Sequence, residues 1–167
     1  MAHIVVLGAG LGGVIMAYEV RDQVGKEHRV TVINKGTKYS FVPSNPWIAV
    51  GWRQKEEIEV DLVSVFAKRD IGFEPQGAKR VMPLGNRIEL NDGKFVDYDY
   101  LVVATGPDLA FDEIEGFGPA HNTHSICHVD DALKAYDAFK QLVAKPGPII
   151  VGAVQGASCF GPAYEFT

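Results

Sequence analysis

Three sets of residues in this sequence are typed and spaced for chemistry: the glycines Gly8, Gly10, Gly12 and Gly13, the polar residue Asn34, and the cysteines Cys127 and Cys159. Gly8, Gly10 and Gly13 form the pattern G-x-G-x-x-G between an apolar run, His3 to Leu7, and a segment of helical period. In that context the first glycine permits a tight turn, the second lets the backbone approach a pyrophosphate, and the third lets helix and strand pack closely. The helix N-terminus then turns unpaired N–H groups and its positive dipole end toward the phosphates. Where an acidic residue usually meets a ribose, the chain has Asn34. An amide there can donate and accept hydrogen bonds but lacks the charge-assisted strength of a carboxylate, and it could equally just end the strand. Two cysteines are too few for a disulfide scaffold and must be read individually, as core thiols or as chemistry. Cys159 follows a glycine-containing turn near the expected start of a helix, where thiols favour the reactive thiolate. Cys127 sits in the loop Ser125-Ile-Cys-His128. His121, His124 and His128 around it invite a zinc reading, but a closed site usually draws ligands from two separated elements, and solvated loop histidines fit the run better.

The elements that must position these residues follow from the pattern. Apolar residues at helical spacing from Val14 to Val24, followed by the β-branched run Val30 to Ile33, complete a βαβ unit with parallel strands. Lys35 to Arg53, with Pro43, Pro46 and two tryptophans, has no clear period and reads as a functional loop. Asp61 to Lys68 reads as a short helix. Phe73 to Met82, Arg87 to Leu90 and Lys94 to Tyr98 read as an antiparallel meander, with a tight hairpin at Asn91-Asp-Gly93. Leu101 to Ala104 is apolar on both faces and belongs in a buried sheet, ending at Thr105 and Gly106. Asp130 can cap a helix from Asp131 to Val143, after which Ile149 to Val151 starts another strand. That strand opens a second unit that the sequence does not close before Thr167, and Pro162 should restrict a regular helix there. The expected architecture is therefore α/β: a first domain over residues 1–110, then residues 111–167 as a connecting segment and the opening of an incomplete second Rossmann-like domain.

Composition narrows the partners. With 16 Lys+Arg against 21 Asp+Glu, a net charge of -5 and no basic run, nucleic acid is not an expected partner. No apolar stretch approaches the roughly 20 residues needed to span a bilayer. Met1 to Leu7 enters a strand directly rather than forming a leader, so the segment is expected to be soluble.

Leu101-Val-Val-Ala-Thr-Gly106 resembles the second FAD motif of two-dinucleotide-binding-domain flavoproteins, and it follows the glycine fingerprint and the meander in the order usual for that family. Phe41-Val-Pro-Ser-Asn-Pro-Trp47 resembles the F-x-P-S-N-P-W segment of sulfide:quinone oxidoreductases, which lies against the flavin. Physically, Ser44 or Asn45 can cap a short helix begun by Pro46. Ser125-Ile-Cys-His128 and Gly156-Ala-Ser-Cys-Phe-Gly-Pro162 resemble the segments carrying that family's first two active-site cysteines. The resemblance covers essentially the whole chain. It implies a Rossmann-like FAD-binding domain with a parallel sheet, an antiparallel meander and the start of a second nucleotide-type domain. It places FAD contacts on Gly8, Gly10, Gly12, Gly13, Asn34, Lys35, Pro43, Ser44, Asn45, Ala78, Thr105 and Gly106, and catalysis on Cys127 and Cys159, with no metal.

The implied activity is oxidation of sulfide to polysulfide or sulfur, with electrons passing through FAD to quinone, in an enzyme peripheral on a prokaryotic membrane. Membrane contact, the quinone pocket and a third cysteine are expected beyond Thr167, and a homo-oligomer is possible. Where disulfide-reductase relatives carry an NADH fingerprint, Val154 and Ala157 replace the second and third glycines. Val154 would obstruct a pyrophosphate, which argues against nicotinamide binding there. A flavocytochrome-type sulfide dehydrogenase, a type II NADH:quinone oxidoreductase and a non-catalytic nucleotide-binding module remain as alternatives.

Overall fold

The structure, a computed structural model, describes residues 1–157 and 160–167; the expectations for Cys159 lie outside the described residues. In chain order the elements begin β1 His3–Leu7, α1 Leu11–Gln23, β2 Arg29–Ile33, β3 Lys38–Ser40, α2 Asn45–Ala49, α3 Lys55–Ile58, β4 Glu59–Asp61 and α4 Leu62–Ala67. There follow β5 Gly72–Glu74, β6 Ala78–Met82, β7 Arg87–Leu90, β8 Phe95–Asp97, β9 Tyr100–Val103, α5 Val129–Ala144 and α6 Gly161–Glu165. They fall into two compact units, one of Met1–Ser40 with Glu59–Asp108 and one of Phe41–Ile58 with Leu109–Thr167.

In the first unit β5, β2, β1 and β9 form, in that order, a parallel sheet. Every residue of β1 is buried, as a central parallel strand covered on both faces requires. Successive side chains divide between two cores: Val6 packs with Ala17 of α1 and Phe66 of α4, whereas Val5 and Leu7 pack with Ile88 and Leu90 of β7. The result is three layers, helices on one face and the antiparallel sheet β6-β7-β8 on the other, which is the α/β class the sequence implied. Arg21 closes the end of α1 by donating to the carbonyls of Val24, Gly25 and His28, which absorbs acceptors the helix leaves free.

Several expected elements are placed differently. The run Phe73 to Met82 is two strands: Gly72–Glu74 joins the parallel sheet and Ala78–Met82 joins the meander. Pro75 offers no amide to a ladder, and Gly77 takes φ +71°, so the chain turns between the sheets. The segment from Lys35 to Arg53 is not structureless. It carries β3, which pairs antiparallel with β4, and the short helix α2.

The second unit is built on α2 packed against α5, with Ile48, Ala49, Ile58 and Ala132 buried between them. α5 starts two residues earlier than expected, at Val129, with His128 at the cap and no side-chain capping bond. Asp130 lies in the first turn, where its carboxylate takes a hydrogen bond from Lys55 at 2.8 Å, and that bond holds its pKa below the ordinary carboxylate value. Ile149 to Val151 pairs with no strand among the described residues, and Ile149 and Ile150 are 65% and 97% exposed. An apolar run makes a strand only against a partner, and none is supplied there. Pro162 stands within the first two positions of α6, where its missing N–H costs nothing. Among the described residues no helix is long and apolar enough to cross a membrane.

His3 ties the layers of the first unit together. Its Nε2 is 2.8 Å from Thr31 Oγ1, and its Nδ1 is 2.6 Å from the Asp97 carbonyl and 2.6 Å from an Arg29 guanidinium nitrogen. Burial, and then the charge of Arg29, hold the imidazole pKa below its ordinary 6.5. The unfolded chain takes up this proton at a higher pH than the folded chain does. Stability from neutral His3 is therefore complete above pH 6.5 and is lost as pH falls through the lower folded value. The thermal midpoint should fall on acidification across this window, and His3→Gln should fall less steeply. Identical pH slopes for the two proteins would refute the assignment.

Candidate functional site

The register aligns the ends of three strands. Leu7 pairs with Ile33 on β2 and with Val103 on β9, so Gly8, Asn34 and Ala104 leave the sheet side by side. A crevice beyond the carboxyl ends of strands, where neighbours lie on either side of the first, is where parallel α/β sheets take nucleotides.

The four glycines of the first turn are there for two different reasons. Gly8 has φ +100°, and a Cβ on it would stand 2.3 Å from the Ala104 carbonyl oxygen. A Cβ on Gly13 would stand 1.9 Å from the carbonyl oxygen of Gly8. The chain's own backbone therefore excludes side chains at both positions. At Gly10 and Gly12, by contrast, a Cβ would meet nothing within 4 Å. The protein leaves space there without filling it. Gly10 is also the N-cap of α1; no side chain caps the helix and no acidic residue stands in its first turn. Bare N–H groups facing open space suit an anion.

Asn34 has a use that the sequence reading did not find. Its Oδ1 accepts the Ala9 N–H at 3.0 Å, and its Nδ2 lies 3.3 Å from the Lys35 carbonyl and 3.1 Å from that of Gly36. With the Gly8 N–H donating to Ile33 at 2.8 Å, this staples the fingerprint loop to the end of β2. The signal available in sequence was the habit of asparagine of closing loops through nearby backbone.

Five of the expected site residues, Gly8, Asn34, Lys35, Ala78 and Thr105, line one cleft of about 350 Å³. Gly77, Arg80 and Asn91 line it too. These three come from the meander, whose position over the sheet end no local pattern announces. Gly106 follows Thr105 at φ +76°, with open space where a Cβ would point.

Pro43, Ser44 and Asn45 belong to the second unit. A 3-10 turn, Val42–Ser44, runs into α2, and neither Ser44 nor Asn45 makes the side-chain cap that was expected. Both are fully buried and turned to other work. Ser44 Oγ accepts from Arg53 at 2.8 Å, and the same guanidinium lies 3.9 Å over the Trp47 ring, a cation–π contact. Asn45 Nδ2 donates to the Ile126 carbonyl at 2.9 Å. The next residue, Cys127, is exposed, with its N–H donating to Ser125 Oγ at 3.1 Å. Among the described residues no group of three or more His, Cys, Asp or Glu could hold a metal ion.

With this geometry in view, comparison with known proteins gives a family. The chain belongs to the pyridine nucleotide-disulphide oxidoreductases, matching that family over residues 2–157. It is 40% identical to the sulfide-quinone reductase of Aquifex aeolicus over 98% of its own length and 37% of that protein's. The crystal structure of the sulfide:quinone oxidoreductase from the same bacterium superposes with a TM-score of 0.91 at 39% identity, covering 99% of this chain and 38% of that one. A mitochondrial sulfide:quinone oxidoreductase of Dictyostelium discoideum is 27% identical over 96% of this chain and 36% of its own length. The chain thus spans a little over a third of these relatives. FAD is the cofactor of this class. Its pyrophosphate fits the open face at Gly10 and Gly12, and the cleft lined by Lys35 and Arg80 fits the polar remainder of a dinucleotide.

The two kinds of glycine should separate by mutation. Gly10→Val should leave a folded protein that purifies without flavin, because its side chain takes the open space. Gly13→Ala should lower stability by about 1–3 kcal/mol through overpacking against Gly8. Flavin absorbance and thermal midpoint, measured on both variants in the whole protein, check this; stoichiometric flavin in Gly10→Val would show that the cofactor lies elsewhere.

Proposed function

We propose that this chain is the FAD-binding part of a sulfide:quinone oxidoreductase, an enzyme that oxidises sulfide to polysulfide or sulfur and passes the electrons to quinone. The observation that carries the reading is that 40% identity to the Aquifex reductase runs over 98% of the chain, through both the glycine cradle and the loop of Cys127. Bound FAD would supply the two-electron link between sulfur and quinone.

The chain's own residues would do the rest. The first turn of α1 offers N–H groups to the pyrophosphate, and Gly10 and Gly12 leave it room. Lys35 and Arg80 bring positive charge to the cleft. Cys127 is exposed on its loop, so sulfide can reach its sulfur. We assign Cys127 to receiving and releasing sulfur, and Cys159, from its place in the sequence, to the sulfur that exchanges electrons with the flavin. Val154 and Ala157 in the second turn speak against NADH as the electron donor. Quinone binding and contact with a prokaryotic membrane surface would come from the parts of such an enzyme that this chain does not span.

Rapid mixing of the whole protein with sulfide tests the reading. Sulfide should bleach the flavin and NADH should not. Cys159→Ser should stop the bleaching, and Cys127→Ser should slow turnover more than it slows a single flavin reduction. Bleaching by NADH with none by sulfide would overturn the proposal in favour of an NADH dehydrogenase.

A further inference from the structure

The second unit holds one polar side chain whose position its own burial does not justify. Asn45 is 0% exposed, yet its Oδ1 has no hydrogen-bond partner among the described residues. An unpaired buried acceptor is a cost that an apolar residue of similar shape, such as leucine, would avoid. Turning the amide over is no remedy, because Oδ1 would then face the Ile126 carbonyl, acceptor against acceptor. Among the described residues, the bond the side chain makes is the one from Nδ2 to the Ile126 carbonyl, at 2.9 Å and 81 positions away in sequence.

That bond lands on the peptide unit joining Ile126 to Cys127. On the other side of this peptide the Cys127 N–H donates to Ser125 Oγ, and Ser125 is itself only 9% exposed. The following residue, His128, is the cap of α5, a helix packed on α2, which begins with Asn45 itself. The thiol loop is thus held at its carbonyl by Asn45, at its amide by Ser125 and at its downstream end by the α2–α5 packing. The first two holds are single hydrogen bonds, and only the first reaches across to a different segment of the chain.

From this we propose that Asn45 is a positioning residue for Cys127: its amide fixes the Ile126 carbonyl and, through that peptide, sets where the Cys127 sulfur points. The inference rests on the reading of Cys127 as a reacting thiol, and it gives Asn45 a role other than direct contact with the cofactor. Freed from the bond, the loop would sample orientations that present the sulfur differently to solvent, without loss of the packed core around Ile48 and Ala132.

The test uses the whole flavin-loaded protein and the reaction of Cys127 with 2,2′-dithiodipyridine, assigned to its own tryptic peptide by mass spectrometry. In protein matched to the parent for flavin content and thermal midpoint, Asn45→Leu should change the Cys127 reaction rate by about fivefold or more, since access and orientation set the rate of a loop thiol. Asn45→Asp adds a readout that a merely structural role would not give. Ionised, the carboxylate can only accept and must repel the Ile126 carbonyl; protonated, its O–H can restore the donation. The ratio of variant to parent rate should therefore depart from one at neutral pH and return toward one on acidification. Equal rates for Asn45→Leu and the parent at equal stability would overturn the proposal. If Asn45→Leu does not fold, the Asn45→Asp ratio decides, and a ratio that does not vary with pH overturns it equally. Because thiol labelling needs no sulfide turnover, a protein that shows the loop effect but oxidises no sulfide would refute the proposed function while leaving this inference standing.

Discussion

The first unit depends on one close contact, the approach of α1 to the end of β1. Gly13 lies so near the Gly8 carbonyl that a single methyl group would stand 1.9 Å from its oxygen, and Gly8 is pressed in turn against the Ala104 backbone of the next strand connection. Helix, first strand and last strand meet at this point. The contact sets the start of α1 at the level where β1, β2 and β9 end, and thereby puts the bare N–H groups of its first turn at the crevice rather than inside the layer. The alternation of Val5, Val6 and Leu7 between two cores has a consistent meaning only while the helix sits at that height.

The second unit is reached by an excursion that leaves the first unit and comes back beside its own exit. β3 and β4 pair antiparallel, Lys38 opposite Asp61 and Ser40 opposite Glu59, so the 18 residues Phe41–Ile58 depart and return through adjacent strands. Leaving and returning at one place lets a long insertion form without disturbing the parallel sheet, because the cost of closing a loop grows slowly with its length. The insertion then finds its packing partner in α5, far along the sequence. Polar side chains inside it are committed to holding backbone and cations: Ser44 takes Arg53, and Asn45 takes Ile126.

What the sequence made legible follows the range of the interactions concerned. The G-x-G-x-x-G turn, the β1-α1-β2 unit and the Asn91-Asp-Gly93 hairpin are written in local patterns and stand in the structure. The strand ahead of Thr105 forms too, but at the edge of the sheet, with Tyr100 and Val103 exposed where its apolar run implied burial, because a strand at the end of a sheet has a neighbour on one side alone. The division of Phe73 to Met82 between two sheets was not legible, although Pro75 and Gly77 marked the break, because the partner of β5 is the distant β2. The expected caps at Ser44 and Asp130 are not made, for different reasons: Ser44 stands at the cap of α2 but gives its oxygen to Arg53, whereas Asp130 falls inside the first turn of α5, beyond the cap at His128. Each side chain then has a partner beyond its own helix, Arg53 for one and Lys55 for the other. Ile149 and Ile150 show the converse, since strand-forming residues with no neighbouring strand among the described residues remain exposed.

The staple at Asn34 shows how the electrostatics of the cleft follow from a single substitution. A carboxylate at the end of the second strand would offer charge to a ribose hydroxyl, but Asn34 directs its oxygen to the Ala9 N–H and its nitrogen to the Lys35 and Gly36 carbonyls. The described lining of the cleft then contains Lys35, Lys79 and Arg80 and no carboxylate, with Lys79 drawn 2.6 Å from Glu89 outside that lining. Attraction for a polyanionic ligand must come from the remaining cations, from the N–H groups of α1 and from the shape left open at Gly10 and Gly12. Of these, the N–H groups and the open shape are fixed by the Gly8–Gly13 contact and do not depend on any mobile side chain. The neutral amide thus secures the loop that carries Gly8, Gly10 and Gly12, and under the proposed FAD reading it would do so without setting a negative charge beside a pyrophosphate.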